Sequence, residues 1–335
     1  MTRRAGEDAL AYHGGALDVA RLLAPNAPEP WIDLSTGINP YAYPLPDLPR
    51  AAWARLPEAH ALAELERIAA ARYGARQESV VAGPGSQALI QTLARLAPSG
   101  SAGALAPTYR GHLHAFSAES RTLQDVASLD ELAACDVAVI VNPNNPDGRW
   151  TRRSDLLELG RLIAARSGWL IVDEAFADLD PSESLARRLP PSGSVVLRSF
   201  GKTYGLAGLR LGFAIASPDI APRIRAALGP WAVSGPAIAI GAQALADSAW
   251  LSRIRNLVQE QARRLDALLE SAGWSVLGGT HLFRLAHKPS APRDFRALLE
   301  AGILARPFAD TSDRLRFGLP AEEAHWRRLA AALVR

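Results

Sequence analysis

Residues 136–148 read Asp136-Val137-Ala138-Val139-Ile140-Val141-Asn142-Pro143-Asn144-Asn145-Pro146-Asp147-Gly148. The stretch from Val137 to Val141 is wholly apolar and mostly β-branched, so it predicts a strand buried on both faces. A strand with one wet face would alternate. Asn-Pro-Asn-Asn-Pro then stops the strand and leaves polar side chains at its carboxyl end. A strand buried on both sides needs helices above and below it, which is the arrangement of a parallel sheet.

Outward from this strand, helical and strand-like periods alternate. Helices are expected over Ala59–Tyr73, stopped by Gly74, and over Gly85–Leu96, Tyr109–Ala118 and Ser154–Arg166. Short apolar strands are expected at Ser79–Ala82, Gly103–Ala106, Trp169–Val172 and Ser194–Arg198. The class is α/β, with a mostly parallel sheet covered on both faces. After Pro236 the pattern changes. A long amphipathic helix, Leu251–Ser271, precedes strands at Trp274–Leu277 and Leu282–Leu285. A helix at Arg293–Glu300, strands around Ile303–Arg306 and Leu315–Gly318, and a helix from Pro320 complete a smaller α+β domain. The expected division is 45–245 for the large domain, with 1–44 and 246–335 forming the small domain and an N-terminal arm.

Composition narrows the classes. The chain has 335 residues, 48% hydrophobic and 21% charged, which excludes disordered, collagenous and coiled-coil chains. Its 37 basic residues are nearly matched by 34 acidic ones, and no run of five like charges occurs, so no nucleic-acid footprint is indicated. No apolar run approaches the roughly 18 residues of a membrane span, and Met1–Asp8 show no apolar h-region, so no targeting leader is expected. A soluble, cytoplasmic protein is expected. The one cysteine, Cys135, allows no intrachain disulfide and no multi-cysteine metal site, and it reads as core filler. No metal is expected.

Two lysines, Lys202 and Lys288, stand among 35 arginines. A primary amine can form a Schiff base with an aldehyde, whereas a guanidinium does not under these conditions. Lys202 follows a strand within Ser199-Phe200-Gly201-Lys202-Thr203-Tyr204-Gly205-Leu206-Ala207-Gly208-Leu209-Arg210. Lys288 reads as an ordinary surface lysine in a Pro-flanked turn. If the aldehyde is pyridoxal 5'-phosphate, companions are required. The ring nitrogen needs a carboxylate, and Asp173 stands at a strand's end, a costly place for an unpaired charge. The phosphate needs a helix N-terminus, a hydroxyl and a cation. Gly85-Ser86-Gln87 opens a helix directly after a strand, and Ser199 and Arg210 flank Lys202. Tyr109 is a flat neighbour for the ring.

With these residues assembled, the chain resembles fold-type I pyridoxal-phosphate enzymes of the class I/II aminotransferase group over nearly its whole length. Asn142–Gly148 is similar to that group's Asn-Pro-x-Asn-Pro-Thr-Gly motif, with Asp147 in place of Thr. Asp173-Glu174-Ala175-Phe176 resembles Asp-x-Ala-aromatic, and Ser199, Lys202 and Arg210 resemble Ser-x-x-Lys…Arg. Asn145, Asp173 and Lys202 follow in order, 28 and 29 residues apart. The resemblance implies a large domain with a seven-stranded, mostly parallel sheet that binds the cofactor. It implies Lys202 as the Schiff-base lysine and Asp173 on the pyridine nitrogen. Asn145 would bind the phenolic oxygen, with Ser199 and Arg210 on the phosphate. It also implies a homodimer with active sites at its interface.

Two branches of the group compete, histidinol-phosphate aminotransferases and the L-threonine-O-3-phosphate decarboxylase family of cobalamin synthesis. His13-Gly14-Gly15 and Asp33-Leu34-Ser35-Thr36-Gly37-Ile38-Asn39-Pro40 resemble the second, as does Phe176 where many aminotransferases carry Tyr. That resemblance implies decarboxylation of a phosphorylated amino acid. Arg306 and Arg316 match anion-binding positions of these families, and His13, Ser35, Gly37 and Asn145 complete the expected substrate set. Arg314 is left out as not fitting the same strand alternation. Where many relatives have Tyr-Pro-Asp, this chain reads Leu56-Pro57-Glu58. A scaffold that merely kept the fold gives no reason to hold Lys202, Asp173 and Asn145 together.

Overall fold

The computed structural model describes residue 10 and residues 14–334. These divide into two compact units. One comprises Ala42–Asn145 and Arg149–Ser252. The other comprises the described residues up to Tyr41, Pro146–Gly148, and Arg253 onward.

The chain begins in the smaller unit with α1 (Leu17–Leu23) and β1 (Ile32–Asp33). The larger unit then contributes α2 (Arg50–Ala54), α3 (Ala59–Tyr73), β2 (Val80–Gly83), α4 (Ser86–Leu96), β3 (Ala102–Leu105), α5 (Gly111–Ala118) and β4 (Gln124–Val126). It continues with α6 (Leu129–Ala133), β5 (Val137–Val141), α7 (Arg153–Ala164), β6 (Trp169–Asp173), β7 (Ser194–Ser199), the one-turn α8 (Phe200–Thr203), β8 (Gly212–Ala216), α9 (Ala221–Leu228) and α10 (Gly235–Ala246). Helix α3 stops where expected, because Gly74 takes a left-handed φ of 68° that closes its last turn.

The seven-stranded sheet has the order β2-β8-β7-β6-β5-β3-β4. Strands β3 to β7 pair in parallel, and β8 runs antiparallel to both β2 and β7. Every residue of β5 is buried, as its unbroken apolar run requires. On one face Val139, Ile171, Val195, Leu197 and Ala214 pack against Leu89, Ile90, Leu93, Phe116 and Ile224. Burying such aliphatic side chains stabilises the unit by about 1.5–3 kcal/mol each. Two strands of this sheet fall outside the sequence expectation. Strand β4 is an edge strand with exposed Gln124 and Asp125, so it has no apolar period to read. Strand β8 follows the glycine-rich segment directly, and nothing local marks its reversed direction.

In the smaller unit, β9 (Ser275–Thr280) follows the long helix α11 (Ser248–Ser271), and β10 (Phe283–His287), α12 (Ala291–Glu300), β11 (Ile303–Leu304), β12 (Arg306–Pro307), β13 (Arg314–Gly318) and α13 (Glu323–Leu333) complete the chain. The single strand expected around Ile303–Arg306 is two. Strand β11 pairs in parallel with β1, while β12 joins β13 at the edge of a sheet ordered β12-β13-β10-β9. Lys288 is not the surface lysine expected. Its side chain is 20% exposed, its Nζ donates to Ala272 O at 2.9 Å just past α11, and it pairs with Asp294 Oδ2 at 2.9 Å.

Candidate active site

At the end of β5, Asn142 and Asn144 are buried braces. Asn142 Nδ2 donates to Thr151 O at 3.1 Å, and Thr151 N–H returns a bond to Asn142 Oδ1 at 2.8 Å. Asn144 Nδ2 donates to Pro107 O at 2.8 Å while its Oδ1 accepts from Thr108 Oγ1 at 3.0 Å. Arg149 Nη2 adds bonds to the carbonyls of Leu105 and Ala106 at 3.1 and 2.9 Å. These bonds fasten the loop that follows β3, which carries Tyr109, to the loop that carries the half-buried Asn145. Tyr109 precedes α5 instead of opening it, and its hydroxyl donates to Gln87 Oε1 at 3.0 Å, tying this loop to the start of α4.

Asp173 ends β6 and is 3% exposed. Its Oδ1 accepts from Ala175 N–H at 3.0 Å, and its Oδ2 lies 3.0 Å from His112 Nε2. Both carboxyl oxygens at this strand end therefore have hydrogen-bond partners, as burial demands. His112 escapes the sequence reading. It lies 61 positions from Asp173 on a different element, and one histidine in a short helix carries no motif. Its only sequence clue is its place three residues after Tyr109, with which its ring packs edge to face.

Lys202 lies in α8, immediately after β7, with its Nζ 5.4 Å from the centre of the Phe176 ring. Phe200 stacks on Tyr204, and Tyr204 stacks on Trp250, which anchors this turn in an aromatic column. Ser199, the last residue of β7, pairs in register with Gly212. A Cβ on Gly212 would stand 2.5 Å from Ser86 N, and one on Gly85 would stand 2.6 Å from Arg210 Nη2. Gly85 takes a φ of 87°. Backbone approach at these two glycines thus brings together Ser199, Ser86, the N-terminus of α4 and the exposed Arg210 guanidinium. That set suits a phosphate.

In the smaller unit, Arg306 and Arg316 face each other across β12 and β13. Arg316 is 3% exposed; its Nη2 donates to Ser35 O at 2.6 Å and its guanidinium carbon lies 4.8 Å from the centre of the Phe283 ring. Like charges directly opposite on neighbouring strands repel, and an anion between them removes the conflict. Arg314 belongs to the same strand two residues before Arg316, so it shares that face, paired across to His287. The alternation that excluded it is corrected. Ser35 Oγ donates to Asp33 Oδ1 at 2.6 Å and accepts from Gly15 N–H at 2.8 Å, so its hydroxyl fastens the N-terminal arm. A Cβ on Gly14 would meet Ser35 O at 2.5 Å, which explains a glycine there. Gly37 is buried with a φ of 61°. His13 lies outside the described residues.

Residues 29–333 match the family profile Aminotransferase class I and II. The chain belongs to that family. Among curated relatives of this aminotransferase-family chain, it is 41% identical over 325 residues to the threonine-phosphate decarboxylase of Pseudomonas aeruginosa, covering 96% of this chain and 97% of the relative. Identity to the threonine-phosphate decarboxylase of Sinorhizobium sp is also 41%, over 326 residues with the same coverage. The histidinol-phosphate aminotransferase 1 of Mesorhizobium japonicum is more distant, 29% identical over 81% of this chain and 80% of its own. Among solved structures, the histidinol-phosphate aminotransferase from Sinorhizobium meliloti in complex with pyridoxal 5'-phosphate has the same fold. Its TM-score is 0.80 at 20% identity, with 95% of this chain and 93% of that chain covered.

Pyridoxal 5'-phosphate is the cofactor of this family, and the residues present fit it. The larger unit supplies an amine at Lys202, a buried and braced carboxylate at Asp173, a phosphate cradle at Gly85, Ser86, Ser199 and Arg210, and an aromatic ring at Tyr109 beside Gln87. Among the described residues, no group of three or more metal-ligating side chains gathers.

Proposed function

We propose that this protein is a pyridoxal-5'-phosphate-dependent carboxy-lyase that converts L-threonine O-3-phosphate to (R)-1-aminopropan-2-yl phosphate, the side arm of cobalamin. What carries this reading is the 41% identity, over 96% of the chain, to relatives named threonine-phosphate decarboxylase. The facing Arg306 and Arg316 support it, because the substrate carries both a phosphate and a carboxylate.

When bound, the cofactor supplies an aldehyde that condenses with amines and a conjugated ring that takes up the electron pair of a broken Cα bond. Lys202 Nζ is the primary amine that would hold that aldehyde, and it would be set free as a base where a substrate amine takes its place. Asp173 holds a proton at the pyridine nitrogen, and His112 and the Ala175 N–H keep its carboxylate in place. Ser86, Ser199, Arg210 and the N-terminus of α4 would hold the cofactor phosphate, Asn145 would bind its phenolic oxygen, and Tyr109 would supply a flat neighbour for the ring. Arg306 and Arg316, with His13, Ser35 and Gly37, bind the substrate anions and orient the bond from Cα to the carboxylate for cleavage. The carboxylate would leave as carbon dioxide, its bonding pair passing into the conjugated ring that the bound cofactor supplies. Lys202 Nζ then delivers a proton to Cα, and the phosphate ester remains intact. Orientation of one bond over its neighbours decides decarboxylation against transamination.

The same reading includes a homodimer in the cytoplasm. Leu45, Trp53, Leu56 and Trp231 are large apolar residues exposed on the larger unit, and the helix that carries Trp53 packs at Gly235, close in sequence to Trp231. Such a surface suits a second copy of the chain. The test is to incubate the loaded enzyme with L-threonine O-3-phosphate and measure carbon dioxide and products. Stoichiometric carbon dioxide and aminopropanol phosphate are expected. A keto acid with pyridoxamine phosphate, or turnover of histidinol phosphate instead, would assign the chain to the aminotransferase branch.

A further inference from the structure

Neighbouring residues at the ends of β6 and β7 lie on opposite faces of the sheet, since side chains alternate along a strand. Trp169, Ile171, Val195 and Leu197 belong to the core on the side of α4, α5 and α9. Asp173 and Ser199 are in step with them. Arg198 is out of step. It is buried on the reverse side, its guanidinium carbon 4.9 Å from the centre of the Tyr73 ring at the end of α3. There its Nη1 donates to Asp178 Oδ1 at 2.7 Å and its Nη2 to Ser184 Oγ at 2.7 Å, while Nη2 lies 2.8 Å from Glu174 Oε2. Ser184 Oγ also donates to Glu174 Oε2, and Leu185 N–H donates to Glu174 Oε1, both at 2.7 Å. Glu174 is 0% exposed, Ser184 1%, Arg198 2% and Asp178 5%.

An ion cluster this deep is a poor source of stability, because desolvating its charges offsets their attraction. Burial pushes the Glu174 and Asp178 carboxyls up, against the opposing pull of Arg198. What such a cluster supplies is fixed geometry. The ladder between β6 and β7 pairs Asp173 with Leu197, and Glu174 N–H donates to Leu197 O at 2.9 Å. Past that rung the two chains part, one into the turn that holds Phe176 and Asp178, the other into Ser199 and α8. The Arg198 fork bridges the chains at the point where backbone pairing ends.

We propose that Arg198, Glu174 and Asp178 form a positioning clamp that holds the carboxyl ends of β6 and β7 from behind and so sets Asp173 relative to Ser199 and Lys202 on the opposite face. The clamp lies on the reverse side of the sheet from Asp173 and Ser199. It acts through the strand ends, and the proposal rests on the assignment of Asp173 and Lys202 to pyridoxal 5'-phosphate.

The test compares Arg198→Lys and Glu174→Gln with a triple apolar replacement, Arg198→Met/Glu174→Leu/Asp178→Leu. Leu159→Ala serves as a core control on α7, 3% exposed. Three quantities are read: the melting temperature of apoprotein, the Kd for pyridoxal 5'-phosphate, and the pH dependence of the bound cofactor's visible absorbance. A clamp predicts that Arg198→Lys and Glu174→Gln weaken cofactor binding about tenfold or more, the scale of a sub-ångström misplacement, and shift the absorbance titration. The triple variant is expected to regain melting temperature without regaining affinity. Leu159→Ala should lose stability while its Kd stays within about twofold, since it is independent of the site. Unchanged Kd and absorbance titration in either single variant, or native affinity in the triple variant, would overturn the clamp. A Lys202→Ala protein that keeps a reducible cofactor adduct is a separate result. It would overturn the Lys202 assignment instead.

Discussion

His112 Nε2 stands 3.0 Å from Asp173 Oδ2, and the two side chains are 1% and 4% exposed. A carboxylate buried at a strand end keeps a defined orientation only while each oxygen has a partner, and here one is the Ala175 N–H and the other the imidazole. His112→Phe removes the second partner and leaves a buried oxygen unsatisfied. The expected loss is about 1–3 kcal/mol in cofactor binding or in kcat, that is, roughly tenfold to hundredfold. Parallel measurement of the cofactor Kd and kcat checks it. Unaltered values in His112→Phe would mean that Asp173 needs no brace.

Lys202→Ala should abolish the visible absorbance of bound cofactor and the decarboxylation together, because among the described residues the other lysine, Lys288, is committed to Ala272 and Asp294. Borohydride reduction followed by peptide mapping checks the position. A labelled peptide from any other segment would contradict it.

Gly85→Ala should weaken cofactor binding more than it weakens the fold. The added Cβ would stand 2.6 Å from Arg210 Nη2, at a φ of 87° that L side chains rarely adopt. Arg210 must move from the start of α4, at a cost of about 1–3 kcal/mol for the strained backbone. Titration of apoprotein with pyridoxal 5'-phosphate and with inorganic phosphate reads the effect. Both affinities should fall.

Arg316→Met should raise KM for the phosphorylated substrate by roughly tenfold to hundredfold, the worth of a charge-assisted bond of about 1.5–3 kcal/mol. Arg316→Lys should recover only part of this, because an ammonium lacks the planar fork. A substrate lacking the phosphate should be less sensitive to the Arg306 and Arg316 variants, which steady-state kinetics can compare directly.

Asp294 links stability to acid pH in the smaller unit. Burial pushes its carboxyl up, but the hydrogen bond and charge of Lys288, with Ser290 and Arg293, outweigh that and hold it below the ordinary value of 3.8. A depressed acid contributes stability that is present above the ordinary value and is lost as pH falls through the depressed one. Melting temperatures taken toward acid pH should therefore fall more steeply in the parent protein than in Asp294→Asn, which should be less stable at neutral pH. Parallel slopes would show that this pair carries no linkage.

Much of the fold is local enough to read along the chain. Val137–Val141 announced a doubly buried strand because no residue in it can face water, and Gly74 announced the end of α3 because its backbone is left-handed. The motifs at Asn145, Asp173 and Lys202 were legible for the same reason, each standing where an apolar run gives way to polar residues. The direction of β8 and the split of Ile303–Arg306 between two sheets were not legible, because each is set by pairing with a distant strand. The face shared by Arg314 and Arg316 follows from their spacing once the strand is known to start at Arg314.

The sequence by itself determined the class, and through its family resemblance the cofactor; it also singled out Lys202, one of two lysines, as the proposed amine. Tertiary structure alone decided that His112 is the partner of Asp173, that Arg306 faces Arg316, and that Arg198 grips Glu174 behind the site. Those relationships join positions 61, 10 and 24 residues apart on separate elements. A hydrogen bond or a charge contact is a matter of a few ångströms in space, and separation along the chain carries no record of it until the strands have paired.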